Sequence, residues 1–391
     1  MDFAYTPEQE ALRKEIFDFI KKEVPPGIDD SDDSDETWAF AKDFAKKLAQ
    51  RRWLTIGWPK EYGGAGYGKI EQQILLETLA YNHALFYSVA HQGITHIGPT
   101  IMIIGTEEQK QSFLPKISSG DIIVNNGLSE PEAGSDLAGL KTRAVRQGDE
   151  YILNGQKTYQ SGGHHADWIR LAVRTDPSLG RHGGISLLMC DLRSPGVTIS
   201  RQRAIWEGDQ MGQSDIFFDD VRVPASNMLG EENKGWYYLM TGLALERGYI
   251  AMTAQVQRTF DDFVSFCKEA TYKGRPLSKD PLVRYKLAES AADLKAWYYL
   301  AWRVIWMCEE EIVPNIESGT QWVFGKEARR RFAENAMEIL GMYGQLERGS
   351  KWAPLEGRLE LLYRWSAESH GGGTGDIIKT VMATRGLGLP R

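Results

Sequence analysis

Two short segments of this chain combine hydroxyl, glycine and aromatic residues in a way that suits binding of an anionic ligand. The first reads LSEPEAGSDLAGLKT from Leu128 to Thr142, with hydroxyls at Ser129 and Ser135 and a glycine at Gly134. A serine hydroxyl together with backbone amides that glycine leaves accessible can donate several hydrogen bonds to a phosphate or to the polar edge of a planar ligand. An ordinary turn with an acidic capping residue would also account for this segment.

The second segment reads GQKTYQSGG and sets Tyr159 and Ser161 before paired glycines. Two such loops in one β-rich stretch favour binding over the ordinary turn, and they predict a site for one planar, phosphate-bearing cofactor. We call residues 126–135 the first loop and residues 159–161 the second loop.

The secondary structure that must position these loops changes along the chain, as the spacing of apolar residues indicates. Residues up to about 122 show helical spacing, beginning with the start signal Thr6-Pro7-Glu8-Gln9. Short alternating runs punctuated by Gly, Asp or Pro then predict a compact antiparallel β domain to about residue 230. Helical patterns return at about 235–272, 280–313, 318–346 and 353–370. The predicted fold class is α+β, with an N-terminal α domain at 1–122, a middle antiparallel β-barrel domain at 123–232 and a C-terminal four-helix bundle at 233–391.

Within the helical regions several boundaries are predicted. Helices are expected at 70–90 and 95–104, and the Thr106 capping pattern starts another that ends near Pro115. The acidic run DDSDDSDE from Asp29 to Glu36 reads as a solvated loop.

Composition narrows the classes of function. The net charge is −7 and no long Lys/Arg run occurs, which argues against nucleic acid or an anionic membrane as the main partner. The three cysteines lack CxxC spacing, so neither a disulfide framework nor a metal site is indicated. The N-terminal letters show no signal or transit pattern, and no apolar run reaches roughly 18 residues. We expect a cytoplasmic protein.

Six motifs in order make the chain resemble the flavin-dependent acyl-CoA dehydrogenase family. Besides SEPEAGSD and NGQKTYQSG they are GWPKEYGGAG, IGTEEQKQSFLP, FFDDVRVPASNMLGEENKGW, and GGGTGDI with LGLPR. The resemblance covers nearly the whole chain. It implies FAD as cofactor, oxidation of an acyl-CoA to the 2,3-enoyl-CoA, an electron-transfer flavoprotein as acceptor, and a homotetramer built as a dimer of dimers.

That reaction needs a carboxylate facing the α-carbon of the thioester, and the family places it at one of two positions. The position before the C-terminal Gly-Thr pair is held here by Gly372, which has no carboxylate. The other matches Leu243-Ala-Leu-Glu-Arg-Gly248, so the resemblance assigns the base to Glu246. Burial beside flavin and acyl chain should raise the pKa of such a base. Glu368 is the competing carboxylate.

The resemblance also implies binding residues. Arg247 corresponds to an arginine that contacts CoA, and Ser135 would touch pantetheine or flavin phosphate. Tyr159 stands where many members stack a tryptophan on the isoalloxazine, and Ser161 corresponds to a residue near N5. His91 aligns near the acyl pocket, although a core or surface histidine explains it better. The full predicted set is Asn126, Leu128, Ser129, Gly134, Ser135, Tyr159, Ser161, Glu338, Gly341, Thr374 and Asp376 for FAD, and Ser135, Leu243, Arg247, Gly371, Gly372, His91 and Gln92 for the substrate.

One departure keeps alternatives open. The usual Arg-x-x-Phe-Gly that touches the partner's FAD pyrophosphate is replaced around Ala270 to Arg275, where Lys273 or Arg275 is a candidate substitute. A flavin oxidase or monooxygenase on the same fold, or an FAD-sharing subunit of a heteromeric dehydrogenase, are the alternatives. The glycines at 371–373 leave room near the α-carbon, which predicts a branched, cyclic or bulky acyl group.

Overall fold

The computed structural model describes residues 4–28, 30, 34–86, 90–202, 205, 212–244, 250–314, 316–367, 371 and 373–390, with the backbone alone for 241–244. These residues form two compact units. Unit 1 comprises Met1–Pro25, Gly68–Ala84 and Arg247–Arg391, and unit 2 comprises Pro26–Tyr67 and Leu85–Glu246. The units group residues by contact, so the three-segment division at 122 and 232 stays a prediction.

Unit 1 is helical, and local capping explains how it begins. The Thr6 side chain accepts a hydrogen bond from the Gln9 backbone, and the Gln9 side chain accepts one in return from the Thr6 backbone. The helices of unit 1 are α1 (Pro7–Glu23), α3 (Lys69–Tyr81), α7 (Ala251–Glu269), α8 (Pro281–Glu309), α9 (Glu317–Leu340), α10 (Arg358–Ser366) and α11 (Gly375–Val381). A small hairpin of β9 (Thr271–Tyr272) and β10 (Arg275–Pro276) follows α7.

Two predicted boundaries in unit 1 are wrong for backbone reasons, and one helix of this unit was not predicted. α3 ends at Tyr81, short of residue 90, because His83 adopts φ +52 in the left-handed region and cannot continue a helix. α10 begins at Arg358 instead of 353, because Leu355 and Glu356 are also left-handed. α11 was not predicted, and the Thr374 side chain caps it by accepting from the Ile377 backbone.

Unit 2 contains α2 (Asp35–Gln50), α4 (Gly98–Ile104), α5 (Glu107–Ser118), α6 (Gly235–Ala244) and one eight-stranded sheet. The Thr106 capping box of α5 is confirmed. The predicted end at Pro115 is wrong, because the helix continues one turn to bury Ile117, and proline removes a single hydrogen bond. The acidic run is also not a wholly solvated loop: Asp30 is buried and accepts from the Leu85 backbone.

The sheet places both loops at strand ends. Its strands are β1 (Val124–Gly127), β2 (Arg143–Gln147), β3 (Glu150–Lys157), β4 (Trp168–Arg174), β5 (Ile185–Asp191), β6 (Val197–Arg201), β7 (Ser214–Pro224) and β8 (Met228–Leu229). Their order in the sheet is β6-β7-β3-β2-β4-β5-β8, with β1 paired to β4. Most pairs are antiparallel, as predicted, whereas β1–β4 and β2–β4 are parallel. The helical ends and central sheet domain confirm the predicted fold class.

Candidate active site

The first loop is fastened by a buried carboxylate. Glu130 and Ala133 exchange backbone hydrogen bonds and close a tight turn. The Glu130 side chain accepts from the Lys141 amide at 2.6 Å, the Thr142 amide at 2.9 Å and the Lys157 ammonium at 2.8 Å. Three donors on one carboxylate hold the loop against β2 and β3.

The Glu130–Lys157 pair is the main electrostatic feature under the loop. Burial alone would raise the pKa of Glu130, but the Lys157 ammonium and the hydrogen bonds from residues 141 and 142 bring it below its ordinary value. The Lys157 side chain has no exposed surface, and burial lowers its pKa to about 8 although Glu130 opposes the shift. Lys157 also donates to the Leu128 carbonyl at 3.0 Å. The pair therefore ties the end of β3 to the start of the loop.

The second loop lies directly beside the first. The Thr158 amide donates to the Ser129 carbonyl at 2.9 Å. Ser161 is held from two sides: its carbonyl accepts from Asn125 Nδ2 at 2.7 Å, and its hydroxyl accepts from Gln213 Nε2 at 3.0 Å. Two segments about thirty residues apart in sequence thus share one location in unit 2.

The residues here fit a planar, partly polar cofactor. Tyr159 leaves 65% of its surface exposed and adopts φ +57, a left-handed conformation that a tyrosine rarely takes without a functional reason. Gln213 Oε1 is buried without a hydrogen-bond partner among the described residues. Ser129 is half-buried, whereas Gly134 and Ser135 are exposed with open space at Gly134. An exposed aromatic ring, serine hydroxyls and a buried acceptor that has no partner among the described residues fit the donor and acceptor pattern of a flavin.

For the FAD site that the resemblance implies, replacing Tyr159 with asparagine is expected to weaken cofactor binding about 2- to 10-fold, because an aromatic stacking contact contributes about 0.5–1.5 kcal/mol. The apo protein should be no less stable, since asparagine tolerates the left-handed conformation better than tyrosine does. FAD titration of apo protein and urea unfolding measure the two effects. Tyr159→Trp is the matched control and should keep its affinity. Equal FAD affinity in the asparagine variant would remove the stacking role.

One of the predicted substrate-binding residues, Gln92, contacts the first loop. Gln92 Oε1 accepts from the Asn126 amide at 2.8 Å. His91 is half-buried, and its carbonyl accepts from the Thr95 hydroxyl. The structure therefore brings Gln92 into contact with the first loop.

Arg170 of β4 was not among the site residues predicted from the sequence. Its Nε and Nη2 donate to Asn126 Oδ1 at 3.1 and 2.9 Å, and its Nη1 donates to Thr100 Oγ1 at 2.8 Å. The sequence does indicate an unusual residue here, because the segment WIRLAVR places a cation within an otherwise apolar run.

His164 and His165 lie in a short helical turn after the second loop. The His165 ring stacks on Trp38 with centroids 3.8 Å apart. Burial lowers the pKa of His164 to about 4, so this imidazole is neutral near pH 7.

The predicted residues of unit 1 occupy helix ends. Glu338 of α9 is exposed and pairs with Lys286 at 2.7 Å. Gly341 follows α9 with φ +57 and open space around it. Thr374 caps α11, and Asp376 lies in its first turn. The Gly371 carbonyl accepts from Lys326 Nζ at 2.9 Å, which anchors the glycine segment to α9.

The structure does not describe the side chains of the other predicted catalytic and substrate-binding residues. Glu246, Arg247, Gly372 and Glu368 lie outside the described residues, and for Leu243 only the backbone of α6 is described. Their roles stay predictions. Among the residues that are described, no group of three or more His, Cys, Asp or Glu side chains is arranged to hold a metal ion. No helix in the described ranges has the length and apolar character to span a membrane.

The comparisons with known proteins follow the same three-part order as the motifs. Family models match residues 6–121 as "Acyl-CoA dehydrogenase, N-terminal domain", 125–221 as the middle domain and 233–387 as the C-terminal domain. Acyl-CoA dehydrogenase FadE29 of Mycobacterium tuberculosis is 34% identical over 99% of this chain and 98% of its own length.

Two solved structures show the same architecture over full length. One is described as "Tcur3481-Tcur3483 steroid ACAD", with a TM-score of 0.90 and 33% identity over 100% of both chains. The other is the ChsE4-ChsE5 complex from Mycobacterium tuberculosis, with a TM-score of 0.89 and 32% identity over 100% of both chains. This chain belongs to the acyl-CoA dehydrogenase family of flavoprotein oxidoreductases, as the motifs predicted. It is an acyl-CoA dehydrogenase by class.

Proposed function

We propose that this chain uses FAD to oxidise an acyl-CoA thioester to the 2,3-enoyl-CoA. The observation that carries the proposal is the junction of the two loops, where the Thr158 amide donates to the Ser129 carbonyl beside the exposed Tyr159 ring. An exposed aromatic ring and serine hydroxyls in two loops that are hydrogen-bonded to each other suit a flavin with its phosphates.

The residues proposed to hold FAD carry out binding and orientation. Tyr159 provides a stacking face, Ser161 a hydroxyl fixed by Gln213, and Ser129 and Ser135 hydrogen bonds to polar groups. When bound, FAD accepts the hydride that leaves the β-carbon. Glu338, Gly341, Thr374 and Asp376 are proposed for the adenosine half on the resemblance alone.

Glu246 is proposed as the base that takes the α-proton. Removal of this proton places negative charge on the thioester oxygen, so hydrogen bonds to that oxygen lower the barrier. The carboxylate must be unprotonated before the reaction and must accept the proton from the α-carbon, which is general-base catalysis by one side chain. Arg247, the next residue, is proposed to pair with a CoA phosphate.

The acyl group is proposed to be branched, cyclic or otherwise bulky. Gly371 and Gly373 carry no side chains, and Lys326 holds both carbonyls, at 2.9 and 3.5 Å, so that the segment stays close to α9. A relative solved over the full length of this chain is described as a steroid ACAD. The lack of side chains at these glycines and the description of this relative support the proposal of a wide substrate over a straight chain.

A panel of acyl-CoA substrates tests this proposal. We expect kcat/KM to be at least about tenfold higher for a ring-bearing or branched acyl-CoA than for butyryl-CoA, since each methylene that fills a matching pocket contributes about 1–3 kcal/mol. Assays with isobutyryl-, cyclohexanoyl-, aryl- and butyryl-CoA and a ferrocenium-type acceptor measure it. Butyryl-CoA as the clearly best substrate would reject the bulky-substrate proposal and leave the dehydrogenase class intact.

A second candidate is that this chain works as one subunit of a two-chain dehydrogenase. Two full-length structural relatives carry names that join two proteins. In this chain the segment after α7 is an exposed hairpin, in which Lys273 at φ +51 extends over the Tyr272 ring at 5.3 Å. The chain purified alone should then hold less than one FAD per subunit, whereas one FAD per subunit would favour the homotetramer. An electron-transfer flavoprotein remains the proposed acceptor.

A further inference from the structure

Arg170 is a buried cation on the face of β4 that turns away from the apolar core of the sheet. Its neighbours Ile169 and Leu171 belong to that core, and alternation along a strand sends Arg170 to the opposite face. Only 2% of Arg170 is exposed. Burial of a charge costs free energy unless an opposite charge or hydrogen bonds compensate for the lost hydration.

The partners of this guanidinium are neutral. Asn126 Oδ1 accepts two of its hydrogen bonds and the Thr100 hydroxyl accepts a third. Within the described ranges no carboxylate forms an ion pair with it. Burial lowers the pKa of Arg170 to about 10, which leaves it charged at neutral pH. The interior of unit 2 therefore contains a positive charge that no described acid balances.

The same contact fixes the direction of the Asn126 amide. A guanidinium can only donate, so Oδ1 must face Arg170 and the Nδ2 donor must point away from it. Among the described residues, Nδ2 has no acceptor. The Asn126 backbone is fixed as well, since its amide donates to Gln92 Oε1 at 2.8 Å and to Asn125 Oδ1 at 2.7 Å. The first loop thus begins with an amide that is held in place, whose Nδ2 donor has no acceptor among the described residues, and that contacts a buried cation.

We propose that Arg170 is a positioning residue that orients Asn126 as a hydrogen-bond donor to the electron-rich edge of the isoalloxazine, and that its charge favours the reduced cofactor. This inference rests on the proposed use of FAD and adds a determinant of its reduction potential. Neither residue exchanges a proton or hydride with substrate. Their effect is on the free energy of the charge that the cofactor gains on reduction.

The test is the midpoint potential of the bound flavin, measured by spectroelectrochemistry on the holoenzyme. Asn126→Asp is the main variant, because the carboxylate keeps an acceptor for Arg170 and so preserves the fold while it removes the donor and cancels the charge. We expect the equilibrium constant for reduction to fall at least about tenfold, which is about 30 mV for a two-electron couple. Arg170→Met should shift the potential in the same direction.

Two further variants separate this role from a structural one. Arg170→Lys keeps the charge and should recover part of the potential. Thr100→Val removes only the third hydrogen bond and should lower the melting temperature without changing the potential. A potential equal to wild type in Asn126→Asp, with FAD bound, overturns this inference alone. Wild-type protein that binds no FAD overturns the cofactor proposal and this inference with it.

Discussion

Replacing Glu246 with glutamine is expected to lower kcat for acyl-CoA oxidation by about 10²–10⁴-fold, the usual contribution of a general base. Glutamine has nearly the same shape but cannot accept the α-proton at neutral pH. FAD content, read from the visible absorbance, should be unchanged, because the two loops in unit 2 that are proposed to bind it do not include residue 246. Steady-state assays and anaerobic flavin bleaching by the acyl-CoA would measure the loss.

Glu368→Gln is the matched control for this prediction. Both carboxylates lie outside the described residues, and they are the two candidates that the sequence offers. The control should retain wild-type turnover within a few fold. Full activity in the Glu246 variant together with a loss of activity in the Glu368 variant would assign the base to Glu368 instead of Glu246.

Replacing Lys157 with methionine is expected to destabilise the protein by about 3–5 kcal/mol, because it leaves the Glu130 carboxylate buried without its cation. Glu130 and Lys157 are 2.8 Å apart and almost fully buried. FAD affinity should fall with stability, since Glu130 anchors the first loop. Urea unfolding of the apo protein measures the free energy, and FAD titration measures the affinity.

The double variant Glu130→Leu with Lys157→Met is the control, and it should recover most of the stability, because two apolar side chains leave no unpaired charge. Equal losses in the single and double variants would show that the ion pair is not the cause. The pair also predicts an acid limit. The pKa of Glu130 is lower in the folded state than its ordinary value of 4.5, so its stabilisation is present above that value and is lost as the pH falls.

Much of the fold was accessible from local sequence. The Thr6 and Thr106 capping boxes depend on residues three positions apart, and the structure forms both. The change from helical to alternating spacing near residue 123 predicted the sheet, because periods of 3.6 and 2 are visible in the string. The six motifs were enough to predict the family.

Boundaries failed where backbone conformation or packing decided. His83, Leu355 and Glu356 adopt left-handed conformations that their residue types do not signal. Pro115 stays inside α5 because burial of Ile117 outweighs one lost hydrogen bond. Asp30 is buried in what reads as a solvated acidic run, because its partner is the amide of Leu85, more than fifty residues away.

The sequence by itself determined the family, the fold class and the residue types of the two loops, because these depend on short motifs and on periodicity. Only the tertiary structure decided that Thr158 meets Ser129, that Glu130 is paired with Lys157, and that Arg170 orients Asn126. Each of these contacts joins segments far apart in the chain. Their energies come from burial and hydrogen bonding between strands and helices, which neither residue type nor spacing specifies.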